Sequence, residues 1–176
     1  DYIYGHITAD WIKKYARDFG GDVIAEEFFP LDIGDFASTI AKIQSAKPDL
    51  IVSALVGGNH INFYRQWPAA GMLDKIPLAS TVYGPWENAF VPPEESEGIM
   101  CCYHYFASID SPENKTFQKN WTAKFGSDYN EIGTLAVCTY NSVNLYKKGV
   151  EQAGTVDRMP VIEALETGIS VNGPGG

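Results

Sequence analysis

The segment Asp49 to Val56 reads DLIVSALV, a nearly continuous apolar run without polar alternation. A strand of that kind has to be covered on both faces, which is the setting of a parallel sheet held between helices. The flanking patterns agree with such a sheet. Ahead of it, Ile7, Trp11, Ile12, Tyr15 and Phe19 recur every three to four positions, the period of a helix with one buried face, and Gly20-Gly21 ends it. Residues 23–29 read as a strand closed by Pro30, and Asp35 is placed to cap a helix whose inner side is Phe36, Ile40 and Ile43. Behind the apolar run, Gly57-Gly58-Asn59 turns the chain into a helix over 60–70. Further strands are expected at 76–81 and 98–106, separated by a turn at Gly84-Pro85-Trp86.

This alternation predicts an α/β fold with a doubly wound parallel sheet, in which ligands bind beyond the carboxyl ends of the strands. The loops that converge there are 1–5, 56–60 and 81–87. After Ile109 the pattern is helical only. Ser111 or Asp110 serves as N-cap with Pro112 in the first turn, and further helices are expected over 134–153 and 158–167. Helices without strands of their own cannot bury their apolar faces alone, so they are expected to pack on a sheet supplied from outside this sequence. The start, without an initiator Met or an apolar leader segment, reads as internal or processed.

Charge and motifs exclude most chemistry. The net charge is −9 and the 13 Lys and Arg are scattered, never more than two together, which argues against nucleic acid and anionic membranes as partners. No apolar run approaches the roughly 20 residues that cross a bilayer. Gly57-Gly58 and Gly173-Pro174-Gly175-Gly176 fit no phosphate-cradling motif, and no serine stands in a nucleophile elbow. His6, His60 and His104 are far apart, and Cys101-Cys102-x-His104 on a strand would point its side chains to opposite faces, so neither metal nor other cofactor is expected. Glu26-Glu27 and Glu94-Glu95 read as surface charge, and the chain as no enzyme. Cys101, Cys102 and Cys138 read as inert thiols, with a bridge from one of the first two to Cys138 left open.

The aromatic residues at the loops are more informative. Tyr2 and Tyr4, two apart at a strand end, would project to one side, where they either pack at the core or rim or wall a small polar ligand. Tyr83 and Trp86, in the loop after another strand, carry the same two readings.

Asp1-Tyr2-Ile3-Tyr4, Ala46-Lys47-Pro48-Asp49 and the stretch from Tyr105 to Asn114, YFASIDSPEN, resemble in order and spacing the type I solute-binding proteins of branched-chain amino acid, urea and short-chain amide importers. The first and last of these segments are most similar to the urea and amide branch. The resemblance implies a two-lobed protein joined by crossing segments, with residues 1–106 in the C-terminal-type lobe and 107–110 at a hinge crossing. Residues 111–168 would then be helices of the N-terminal-type lobe, and 169–176 the approach to the next crossing. It further implies ligand contacts from Tyr2 and Tyr4, from Val56-Gly57, and from Val82-Tyr83. Leucine-type members hold the ligand ammonium with an acidic residue in that third loop, where this sequence has Val82, with Tyr83 next and Glu87 further on. A buried ammonium without a carboxylate is costly, so a neutral amide or urea is the better match than an amino acid. The function implied is periplasmic or lipid-anchored capture of a small amide, urea or branched-chain amino acid by hinge closure, for delivery to an ABC transporter permease. The alternative is a cytoplasmic amide-sensing regulator of the same fold.

Overall fold

The computed structural model describes residues 2–129 and 132–175, so Asp1 and Gly176, the ends of two expected segments, lie outside the described residues. The chain divides between Cys102 and Tyr103 into two compact units.

In the first unit the order is α1 (Ile3–Asp18), α2 (Ala37–Ala46), β1 (Ile51–Ser53), α3 (Gly58–Ala69), β2 (Leu78–Ser80), the one-turn helices α4 (Pro85–Asn88) and α5 (Pro93–Ser96), and β3 (Met100–Cys101). The strands form a parallel sheet in the order β1-β2-β3, with Ser53 opposite Ser80 and Ser80 opposite Cys101. A parallel α/β fold is what the apolar run required. The strands are nevertheless shorter than the apolar runs that contain them, because a ladder lasts only while both partners stay in register. At Ser80 the chain turns away as its own hydroxyl takes the N–H groups of Val82 and Tyr83.

The core gathers on α3. Phe63, Tyr64 and Trp67 are fully enclosed with Phe36, Ile40, Met72, Leu78, Tyr83 and Val91. Phe36 meets the Phe63 ring edge-on at 5.3 Å, and Tyr83 meets Tyr64 edge-on at 5.1 Å. Each such side chain contributes about 1.5–3 kcal/mol by leaving water. Asp35 lies one residue outside its expected cap position: Phe36 is the N-cap of α2, while the Asp35 carboxylate accepts the Ala37 N–H at 2.9 Å.

Two expectations for this unit are corrected. Residues 23–29 form no strand. Their side chains are tied to helices instead, with Phe28 stacked on His6 at 4.0 Å, Glu26 paired with Lys13 and Glu27 with Lys42, and no described strand offers them a ladder. The helix α1 is real, but its apolar side is not buried: Ile3, Ile7, Trp11 and Tyr15 are all at least half exposed. Periodicity reports a face that wants cover, whereas burial also needs the covering element.

The second unit holds α6 (Pro112–Phe125), a 3-10 turn at Ser127–Tyr129, α7 (Thr134–Ala153) and α8 (Arg158–Glu166), with no strand among its described residues. Ser111, not Asp110, is the cap of α6; its hydroxyl accepts the Asn114 N–H at 3.1 Å. The strand expected to run to residue 106 stops at Cys101, because Tyr105 turns into the core of this unit with Phe117, Ile132 and Val137. Its phenol donates to Asn114 Oδ1 at 2.9 Å, and Asn114 Nδ2 donates to the carbonyls of Ala107 and Ile109. The YFASIDSPEN stretch is therefore a closed local structure, with a fully enclosed Asn114 holding the bend before it. Helix α7 ends on Gly154 in the left-handed region, φ 68°. Gly149 lets α8 come close, since a Cβ there would stand 3.0 Å from Leu165.

Candidate functional site

Three strands of the first unit end on one register row, Ser53, Ser80 and Cys101. Tyr64, one and a half turns into α3, reaches this row from the helix layer. Its hydroxyl donates to Ser80 Oγ at 2.6 Å and stands 3.2 Å from Ser53 Oγ, whose own O–H completes the pair since a phenol has one proton. Burial pushes the Tyr64 phenol up to about 12, a rise that its two serine partners oppose. Ser80 Oγ in turn accepts the N–H groups of Val82 and Tyr83, at 3.3 and 3.0 Å. One buried hydroxyl group thus joins both strand ends to the loop beyond them.

That loop is fixed at its far side by Glu87. Its Oε2 accepts the Gly84 N–H at 2.7 Å, and its Oε1 lies 3.3 Å from His60 Nε2, both side chains being almost wholly buried. Above the sheet edge, Tyr4 and Thr81 join their hydroxyl oxygens at 2.8 Å, and the Thr81 N–H reaches the Ser53 carbonyl at 2.9 Å. The third component is the start of α3. Its N-cap is Gly57 at φ 69°, a backbone suited to glycine, and no side chain caps the first turn. A Cβ built on Gly57 or Gly58 meets nothing within 4 Å, so there is open space beside these two glycines. Asn59 Oδ1 and His60 Nδ1, on that same turn, are buried without hydrogen-bond partners among the described residues. Hydroxyls, an uncapped helix start and two unpartnered polar atoms suit a small polar guest held by hydrogen bonds.

The expected residues fall in different surroundings. Tyr2 is exposed and Tyr4 half-buried, with ring centres 6.0 Å apart, but they stand at the start of α1 rather than on a strand: Tyr2 is its N-cap and Tyr4 lies in its first turn. Val56 and Gly57 lead into α3, and Val82 is half-buried. Tyr83 is enclosed in the core, its hydroxyl donating to Asn88 Oδ1 at 2.9 Å, and burial raises its phenol above the usual range. Trp86 is largely exposed and packs edge-on against Phe90. Sequence reasoning missed Ser53, Tyr64, Ser80, Thr81 and the His60–Glu87 pair. The available signal was a serine following three residues of each apolar run, LIVS and PLAS, though in the first the run continues beyond it.

The periplasmic binding protein family model matches this chain over residues 1–176. The chain belongs to the type I periplasmic binding proteins. Among them it is 28% identical over 165 residues to the leucine-, isoleucine-, valine-, threonine- and alanine-binding protein of Pseudomonas aeruginosa, covering 92% of this chain and 42% of that protein. Two solute-binding proteins of ABC transporters from R. palustris overlay on all of this chain and on 48% of theirs. One, crystallised with 4-hydroxybenzoate, is 27% identical with a TM-score of 0.81. The other, crystallised with benzoate, is 26% identical with a TM-score of 0.79. This periplasmic binding protein chain therefore spans less than half the length of the relatives it matches. None of its described helices is long and apolar enough to cross a membrane.

Proposed function

We propose that this chain is part of the extracytoplasmic substrate-binding component of an ABC importer, and that the ligand is a neutral small amide or urea. Residues 1–106 then form a C-terminal-type lobe, 107–110 a hinge crossing, 111–168 helices of the N-terminal-type lobe and 169–176 the approach to the next crossing. The protein closes on its ligand when contacts from both lobes favour the closed state, and the transporter permease reads that state. Tyr2, Tyr4, Val56, Gly57 and Val82 face the ligand in this reading, while Tyr83 supports the loop from beneath.

The observation that carries the ligand class is Glu87. Besides Asp1 it is the sole carboxylate in the sequence of loops 1–5, 56–60 and 81–87, and it is already engaged by the Gly84 N–H and by His60. Freeing it for a ligand ammonium would leave two buried groups without their partner, at a cost of about 1–3 kcal/mol each. An amide or urea asks only for hydrogen bonds of the kind that Tyr4, Thr81 and the start of α3 offer. A second reading, capture of a benzoate-type acid, is favoured by the two R. palustris relatives crystallised with such acids. Isothermal titration of the full-length protein with urea, acetamide, formamide, leucine, valine and 4-hydroxybenzoate separates these readings. Tight binding of an amide or urea supports the first and of 4-hydroxybenzoate the second, whereas binding of leucine alone refutes the argument from Glu87.

A further inference from the structure

In the second unit a thiol and an imidazole meet on one side of α7. His104 Nε2 lies against Cys138 Sγ and 3.0 Å from Thr134 Oγ1. Thr134, Cys138 and Asn141 follow one another at four and three residues, so they share a face of the helix. The chain end closes over this group: a Cβ on Gly173 would stand 2.5 Å from Asn141 Oδ1, and one on Gly175 2.7 Å from the His104 carbonyl oxygen. His104 is thus held between helix and tail rather than hanging freely, although its ring remains exposed and Cys138 half-buried. The Asn141 Oδ1 atom on this face is buried without a partner among the described residues.

All three cysteines are free thiols. Their settings differ. Burial holds the Cys101 thiol above its ordinary range, and Cys102 is exposed with no base bonded to its sulfur among the described residues. Cys138 is the one with an imidazole nitrogen against its sulfur.

We propose that Cys138 is a thiol modification site, oxidised by hydroperoxides with His104 as its base. With hydrogen peroxide, the sulfur attacks one of the peroxide oxygens while His104 Nε2 takes the thiol proton. An S–O bond forms, the O–O bond breaks, and the departing hydroxide takes up a proton from the imidazolium to leave as water. Sulfur loses two electrons and becomes a sulfenic acid; the peroxide gains them. Between these events the protonated Nε2–H has the Thr134 hydroxyl oxygen to donate to, which keeps the ring in place. General-base help of this type is commonly worth about 10²- to 10⁴-fold, and thiol reactivity depends on access to the thiolate. The inference uses only the second unit and is independent of the transport reading.

The test is to treat the intact protein with hydrogen peroxide, trap sulfenic acid with dimedone and follow each cysteine by mass spectrometry. Accessibility alone would make the exposed Cys102 react first. The proposal expects the Cys138 adduct to form at least about tenfold faster than the Cys102 adduct, since a positioned base is commonly worth about 10²- to 10⁴-fold and the better access of Cys102 offsets part of that. In His104→Gln the Cys138 rate should fall to that of Cys102 or below, with the circular dichroism spectrum unchanged. A wild-type Cys138 rate equal to or below that of Cys102 overturns the proposal whatever the variant does. An unchanged rate in a folded His104→Gln protein overturns the role of His104.

Discussion

Removing the Tyr64 hydroxyl tests whether the strand ends are tied as described. In Tyr64→Phe the ring keeps its edge-on contact with Tyr83 and its place in the core, so packing is held constant. What is lost is the bond to Ser80 Oγ at 2.6 Å and the one shared with Ser53 at 3.2 Å. Two buried hydrogen bonds at about 1 kcal/mol each, with no water admitted to replace them, give a loss of about 2 kcal/mol. Guanidinium unfolding of the intact protein should show a lower midpoint at unchanged slope. A Ser80→Ala and Tyr64→Phe double-mutant cycle should show coupling, since the two groups are in contact. The pH dependence supplies a second, independent readout. Because the folded phenol lies at about 12 and the unfolded one near 10, the native state holds its proton longer. The resulting stability is complete below pH 10 and is lost as pH rises through 12. Tyr64→Phe should therefore lose less stability than wild type across that window. A loss under about 0.5 kcal/mol, below the range of a typical buried bond, together with an unchanged alkaline slope would refute the reasoning.

Tyr83→Ala should destabilise the unliganded protein by about 3–5 kcal/mol, the usual result of truncating an enclosed aromatic ring, as read by chemical denaturation. Tyr4→Phe removes only a half-buried hydroxyl bonded to Thr81, so its melting temperature should stay near that of wild type while titration with the bound ligand shows weaker affinity. Asn114→Ala strips the Ala107 and Ile109 carbonyls and the Tyr105 phenol of their shared partner; a loss of about 3 kcal/mol is expected from three such bonds, and hydrogen exchange should rise across 105–111. Gly149→Val drives a branched side chain into Leu165 of α8 and should cost about 1–3 kcal/mol by the same denaturation assay.

The sequence pattern was most legible where a single residue type or period decides the outcome. The apolar run around Ile51 required a parallel sheet, and the helices over 58–69, 112–125, 134–153 and 158–166 follow from period, cap and stop signals. Residues 23–29 have a strand's composition but no described strand to pair with, and pairing is not written in a segment's own residues. The same applies to α1, whose spacing is helical although its apolar side is uncovered. In the candidate site, aromatic residues near strand ends drew notice, yet a ring's chemistry does not say which way it turns: Tyr83 faces inward onto Tyr64, whereas Tyr4 reaches Thr81. The serines escaped because a hydroxyl at the end of an apolar strand acquires meaning only once a second strand and a helix bring its partners to it.

The Ser80 hydroxyl has an evolutionary consequence. It fixes the path of residues 82–83 from beneath, through their N–H groups, so the loop's course is set by a side chain that a guest molecule need not touch. The exposed position 86, further along the same loop, can then be exchanged without the backbone of 82–83 losing its shape. A scaffold wired in this way separates the persistence of a loop's shape from the identity of the side chains it displays, and under the proposed function a few changes of those side chains would alter what it binds.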